Sequence, residues 1–387
     1  MPEIALKTIT NLPLSAPPTK CWEARRASFA DVLDWLLQHR SRRPVTHSGP
    51  DTVHSILQIL TSSAYRKGSL ERMRFDLCQV SMRAAIQASV SLSHPVRLTL
   101  MAFPFKVGNP VKVGVRQLPD SAELAALLKL RQLRDEITAI YEPGLEIHLI
   151  HDGSYIADVF GVPLREVRQY ESYLSRLIHV LGANTFIRTH DLLDLLEQNH
   201  YDLECAKQIA WRVTRGWWRD QQCTPEWNDC FAKTIGMLNL RSWPAGLMRE
   251  IMSQAHTGRL APTHHLLERR VHRAMLAYHM RDTLLHMFDP RPSCFPNSIH
   301  ATTKVRPQRL ALWMVRRGNS LLPWHGVGVL EPSGINVRPA AEVIDNPAFC
   351  PLYLEAENTP FLYLQVGVER KPSSSYPHAA FQEHSVC

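Results

Sequence analysis

Three stretches decide the fold of this chain: VRLTLM at residues 96–101, FPFKVGNPVKVGVRQLPD at 103–120 and YEPGLEIHLIHDGSYIADVFGV at 141–162. The first is short, alternates its apolar residues and follows a Ser-His-Pro break, which predicts a strand. In the second, Pro104, Gly108, Pro110 and Pro119 forbid a long regular element, so Lys106, Lys112 and Arg116 fall on a loop. Asp120 or Ser121 caps the next helix with Glu123 in its first turn, and the leucines of residues 124–133 share one face. Glu142-Pro143-Gly144 stops that helix, and Leu145 to Ile150 reads as a second strand that delivers His151-Asp152-Gly153. A strand–loop–helix–strand unit of about fifty residues is long enough for a parallel crossover. Ligands of open α/β sheets lie at the carboxyl ends of the strands, where the lysine loop and the Asp152 turn both sit.

Working outward, the periodicity predicts helices at residues 29–39 and 52–63, with Ser28 as the cap of the first. Residues 164–290 are mostly helical in pattern. Strand character returns at 297–300, 310–314 and 325–330. The expected fold is therefore α/β: a Rossmann-like mixed sheet, a large helical middle section and a C-terminal β-rich segment. Residues 1–20 read as a flexible arm, 21–370 as one domain and 371–387 as a tail.

Of the 387 residues, 45% are hydrophobic and 21% charged, a globular composition. No run of eighteen apolar residues argues for a membrane span, and the first twenty residues lack the pattern of a secretory signal. Eight scattered cysteines without a Cys-x-x-Cys pair read as reduced thiols of a cytoplasmic protein; Cys223 and Cys230 make only half a metal site. The formal charge of +8 invites a nucleic-acid partner. The arginines, however, are mixed with Glu and Asp along amphipathic segments, and no helix-turn-helix, RNP or zinc-finger pattern is present. An anionic small molecule accounts for part of the surplus equally well.

Lys106, Lys112 and Arg116 in one broken loop suit a phosphate, and a desolvated lysine also forms imines with ketoses. Asp152 and Asp158 place carboxylates at a strand exit, where either holds an ammonium or acts as a base. Asp152-Gly153 is equally the best of turn dipeptides, and it closes a hairpin if residues 154–159 form a strand. His300 and His325 are candidate proton carriers near neutral pH, beside Trp324, Lys304 and Arg306. His265, His272, His279 and His286 recur every seven residues. That spacing puts neighbours about 10.5 Å apart along a helix, too far for a shared metal, and reads as one polar face. Walker, GxGxxG, GxSxG and HExxH patterns are absent, which removes the commonest nucleotide, hydrolase and zincin readings.

FPFK-x-x-NP-x-K, LPD-x-x-E, Y-x-PG, HDG-x-x-x-x-D and PWHGV stand here in the order in which they occur in the isocyanide (isonitrile) synthases of the pyoverdine/dityrosine biosynthesis family, which the chain resembles. The resemblance is strong over residues 95–180 and weaker over 265–335. It implies that 21–370 is an isonitrile synthase-like catalytic domain. Such an enzyme converts the α-amine of an amino acid, typically L-tyrosine or L-tryptophan, into an isonitrile with the carbon of C2 of ribulose 5-phosphate. It further implies Asp152, Lys112, His300 and His325 as catalytic residues. Lys106, Lys112, Arg116, Asp158, Lys304, Arg306 and Trp324 would bind the two substrates. No metal or other cofactor is implied, and an Fe(II)/2-oxoglutarate oxygenase acting on the product would be a separate protein. Two departures, His151 where a small residue is expected and Ala301 where a proline is, leave the accepted side chain open, as is the choice between isonitrile and formamide as product. The alternatives are another sugar-phosphate-dependent lyase or transferase and a basic nucleic-acid-binding protein.

Overall fold

The computed structural model describes residues 25–366 apart from 39–50, 70–74, 115, 199–202, 222–223, 307–308, 320 and 356. The expected arm and tail, residues 1–20 and 371–387, and Cys223 lie outside the described residues. Ten strands are present among them: β1 (Arg25–Ala27), β2 (Val96–Met101), β3 (Leu145–His151), β4 (Ile187–Asp191), β5 (Ile299–Thr302), β6 (Leu310–Ala311), β7 (Val327–Glu331), β8 (Gly334–Arg338), β9 (Phe349–Leu354) and β10 (Pro360–Gln365). They form two five-stranded sheets, ordered β4-β3-β2-β5-β6 and β1-β9-β10-β7-β8. The first is parallel in every pairing. The second mixes parallel pairs with the antiparallel β9–β10 and β7–β8. The fold is thus α/β as the periodicity requires, with the mixed pairing confined to the second sheet.

The crossover from β2 to β3 runs through the helix Ser121–Thr138, which packs on β3 and, across from it, on β7, β8 and β10. Both sheets therefore share this helix. Its start is a complete capping box: Asp120 accepts from Ala122 N at 2.7 Å, and Glu123 accepts from Asp120 N at 2.9 Å. Gly328 of β7 lets the helix start approach closely, since a Cβ there would lie 2.0 Å from Ser121 Oγ.

Lys106 closes the arrangement. Its ammonium lies 2.5 Å from Asp120 and 3.1 Å from Glu123, all three side chains essentially without solvent exposure, and it donates to the Gly326 carbonyl at 3.1 Å. Tyr170 adds a hydrogen bond to Glu123 at 3.1 Å. One ammonium offsets one of the two carboxylates, and burial, with Asp120 beside it, pushes Glu123 up to about 7 against the pull of Lys106.

Several expectations are corrected. Residues 154–159 form no strand: Gly153–Phe160 is a helix, so Asp152-Gly153 closes no hairpin. Glycine is required at 153 because a Cβ would meet the Pro104 carbonyl oxygen at 2.3 Å, where the helix start abuts the lysine loop. His190 and Asp191, expected in a helix, end β4. This edge strand is polar and half exposed, so it carries little apolar periodicity. His325 lies in a 3₁₀ turn, Pro323–His325, ahead of β7. The helix Phe75–Ser91 had no counterpart in the sequence reading. Cys78 and Cys230 are free thiols as expected, whereas Cys350 is held in a disulfide. Among the described residues no helix is long and apolar enough to cross a membrane.

Replacing Lys106 with Met strands two buried carboxylates. The expected loss is about 3–5 kcal/mol of unfolding free energy, read by urea denaturation. The triple variant Lys106→Met, Asp120→Asn, Glu123→Gln should recover part of it. A Lys106→Met protein as stable as the parent would show that the buried charges are not coupled.

Candidate active site

The chain passes from β2 outward to β3 and β4, then returns to place β5 on the other side of β2. The crevice beyond the carboxyl ends of β2 and β5 is therefore the switch point at which ligands of such sheets bind. An open cleft lies there. Met101, Ala102 and Pro104 reach it from the end of β2, Asp152 from the end of β3, and residues 301–304 from the end of β5. One wall is the helix His265–Met287, through Tyr278, Arg281, Asp282, Leu285 and His286. The turn after Leu322 supplies Trp324 and His325.

Local packing fixes these groups. His151 Nδ1 lies 3.1 Å from the carbonyl oxygens of both Ala102 and Phe103, so that nitrogen carries the proton and stitches the β3 exit to the β2 exit. A small residue could not do this, which gives the His151 departure a structural use. Trp324 is buried and packs on Phe103 with ring centres 5.2 Å apart.

Each of the four arginines lining the cleft is already paired. Arg281 grips Asp158 at 2.6 and 2.9 Å and also donates to the Tyr155 carbonyl. Arg306 meets Asp282 at 3.2 Å and also binds His286. Asp289 serves both Arg291, at 2.6 Å, and Arg309, at 3.0 Å. Lys304 differs: among the described residues its ammonium has no hydrogen bond or ion pair. Asp152 likewise makes no side-chain cap to the helix it precedes. The lining carries two more cations than carboxylates, which suits a doubly charged anion.

Burial pushes the Asp152 carboxyl up to about 6, with Asp282 and Asp191 adding to the rise while its own backbone amide and Lys304 oppose it. Burial is also the chief reason that His325 falls well below the usual imidazole range, and Lys112 and Lys304 reinforce it. His325 is thus a neutral imidazole at physiological pH. Lys304 is lowered, first by burial and then by Arg306 and Lys233, against Asp282 and Asp152. A carboxylate, a neutral imidazole and an unpaired lysine accordingly face one space.

Of the residues singled out in the sequence, Asp152, Lys304, Arg306, Trp324 and His325 come together in the cleft. Asp158 stands outside it as the largely exposed partner of Arg281. Lys112 is not among the lining residues: its Nζ lies 2.4 Å from where a Cβ on Gly236 would be, and burial beside Lys233 brings it down to about 8. Lys106 and Arg116 are not among the lining residues. Lys106 is sealed in its ion pairs, and Arg116 is bound by Glu357, Thr359 and the Pro119 carbonyl. His300 bonds Thr99 Oγ1 at 2.9 Å and is pushed down to about 4 by burial and Arg291. Of the histidine stripe only His286 lines the cleft. His272 is packed among Trp218, Trp227 and Phe231, and His279 stacks on Trp217 at 4.0 Å. The sequence reading missed Tyr278, Arg281, Asp282, Arg291 and Arg309. Their signal was present in part: positions 278, 281, 282, 285 and 286 follow the spacing of one helical face.

A carboxyl raised by folding binds its proton more tightly in the native state, so stability falls as pH climbs from 3.8 through about 6. Asp152→Asn removes that loss. Thermal melts should show the variant more stable than the parent at pH 8 and indistinguishable from it below pH 4; equal melting at pH 8 would place Asp152 in water.

Residues 86–237 match the family model described as "Pyoverdine/dityrosine biosynthesis protein". That span includes β2, β3, the crossover helix and Asp152. Among curated proteins, the chain is 26% identical over 300 residues to "L-tyrosine isonitrile synthase" of Xenorhabdus nematophila, covering 76% of this chain and 80% of that protein. It is 29% identical over 157 residues to "Isocyanide synthase A" of Aspergillus fumigatus, a match spanning 39% of this chain but only 26% of that longer protein. Among solved structures, the PvcA protein of Pseudomonas aeruginosa has the same fold. Its TM-score is 0.57 at 22% identity, with 81% of this chain and all of that one covered.

Proposed function

We propose that the chain is a member of the pyoverdine/dityrosine biosynthesis family of isocyanide synthases, which its match to the family model and its likeness to L-tyrosine isonitrile synthase support, and that it is an amino-acid isonitrile synthase whose substrates are an aromatic L-amino acid, tyrosine or tryptophan, and ribulose 5-phosphate. The observation that carries the reading is the convergence of Asp152, His325 and Lys304 in a cleft with a surplus of positive charge and one apolar, aromatic wall.

The phosphate is drawn to the end of the cleft where Asp289 alone answers two guanidiniums, Arg291 and Arg309, and where Arg306 projects. Pro104, Ile156, Met237, Leu322 and Trp324 offer the apolar surface for an aromatic side chain. Asp152, as a carboxylate above pH 6, orients the α-ammonium and draws off its proton. Neutral His325 accepts and returns protons as the amine condenses with the C2 ketone. Tyr278, whose hydroxyl burial holds well above its ordinary range, stays a donor toward the sugar hydroxyls. In this reading no resident cofactor is drawn on, and any oxygenase acting on the product is a separate chain.

The test is incubation of the full chain with mixed amino acids and ribulose 5-phosphate carrying ¹³C at C2, followed by mass spectrometry. A labelled isonitrile is the expected product. Folded protein giving no incorporation from any amino acid would overturn the reading in favour of another sugar-phosphate reaction. kcat/KM should fall on the acid side with a midpoint near 6 as Asp152 takes up its proton. Asp152→Asn should lower the rate by roughly 10²–10⁴-fold, the usual worth of a positioned proton carrier.

A further inference from the structure

We infer that Lys304 is a nucleophile that forms a covalent imine with the ketose carbonyl, and that the amino acid enters by displacing it. This rests on the preceding reading for the identity of the ketose and extends it to a step that no residue has yet been given.

Placement comes first. Lys304 is the one lysine lining the cleft among the described residues, two positions beyond the end of β5, the strand that borders the switch point. Lys106 is locked between two buried carboxylates, and Lys112 is not among the lining residues. Partnership comes second. Every arginine of the lining is tethered to a carboxylate and permanently charged, hence neither free nor nucleophilic. A cleft that needed only positive charge is already supplied with it; an unpaired lysine adds an amine. Surroundings come third. Lys304 shares its space with Asp152 and neutral His325, the two proton carriers that making and breaking an imine requires. Its lowered affinity for a proton raises the fraction present as free amine.

The chemistry balances without an oxidant. The Asp152 carboxylate takes a proton from the Lys304 ammonium, the neutral Nζ adds to C2 of the ketose, and Asp152 returns that proton to the carbinolamine oxygen, which leaves as water. The product is an Nζ=C2 iminium, more electrophilic than the ketone. Asp152, a carboxylate again, takes the surplus proton of the α-ammonium, and the free α-amine adds to C2 while His325 accepts and returns the proton that moves between the two nitrogens. A proton passes within the diamine to Nζ, and lysine departs as neutral amine. The amino acid is left as the protonated imine of C2, and one water has been lost overall.

The experiment treats the full chain with ribulose 5-phosphate alone, reduces with sodium borohydride, digests it and maps the adduct by mass spectrometry. One reduced pentulose phosphate on the Lys304 peptide is expected, and amino acid added before the borohydride should discharge it. Lys304→Arg keeps the cation but cannot form an imine. It should take no label and make no product, while still binding ribulose 5-phosphate by calorimetry. Full turnover by Lys304→Arg, or labelling of another lysine with Lys304 unmodified, overturns the proposal. Because the trap uses the parent protein, a variant that fails to fold does not decide the matter. An isonitrile formed without any trapped lysine removes the covalent step and leaves the function standing. A trapped Lys304 without isonitrile from any amino acid keeps the covalent step and removes the function.

Discussion

Lys106 sets the geometry on which everything else depends. Its ammonium joins the loop after β2, the capping box of the crossover helix and, through the Gly326 carbonyl, the turn that ends in His325. These segments come from the parallel sheet, the helix between the sheets and the second sheet. Buried ion pairs contribute little net stability against a well-packed apolar alternative, but breaking one partner is costly. The consequence here is positional. With these groups out of water, the loop, helix and turn have one arrangement that satisfies them, and in it His325 and Asp152 line the same cleft.

The cleft divides its charges into tethered and free. Asp158, Asp282 and Asp289 each hold guanidiniums at fixed places, so the arginines form a positive lining whose geometry is set by the protein itself. Asp152, His325 and Lys304 are left uncommitted and are displaced from their ordinary proton affinities mainly by burial. Such groups cost stability and are kept where chemistry uses them. The same burial that raises Asp152 lowers His325, so a base and a neutral imidazole coexist near neutrality.

How much of this was legible follows from the range of each interaction. β2, β3 and the capped helix between them depend on neighbours within a few residues, and they stand where the periodicity and the Asp120–Glu123 pair put them. Asp152, Lys304, Arg306, Trp324 and His325, singled out at strand ends and tight turns, meet in one cleft. Lys106 and Arg116 show where that reasoning stops. A lysine beside prolines and glycines has the same local signature in a solvated loop, a phosphate site or a buried ion pair. Only Asp120, Glu123 and Gly326, the last 220 residues away in the chain, decide between them. β4 was hidden for the opposite reason: an edge strand with polar, half-exposed residues carries no apolar alternation to detect.

The amino-acid sequence by itself thus determined the α/β class and the crossover unit, and it carries the motifs of the family resemblance, because these rest on local periodicity, capping and short motifs. The tertiary structure alone decided which charges are spent and which remain. Asp289 neutralises arginines 2 and 20 positions along the chain, and Arg281 is turned to Asp158, 123 positions before it. Lys304 is left over. Pairing of that kind depends on distances between side chains that meet only when β5, the long helix and the turn at His325 close around one space, and no spacing in the chain encodes it.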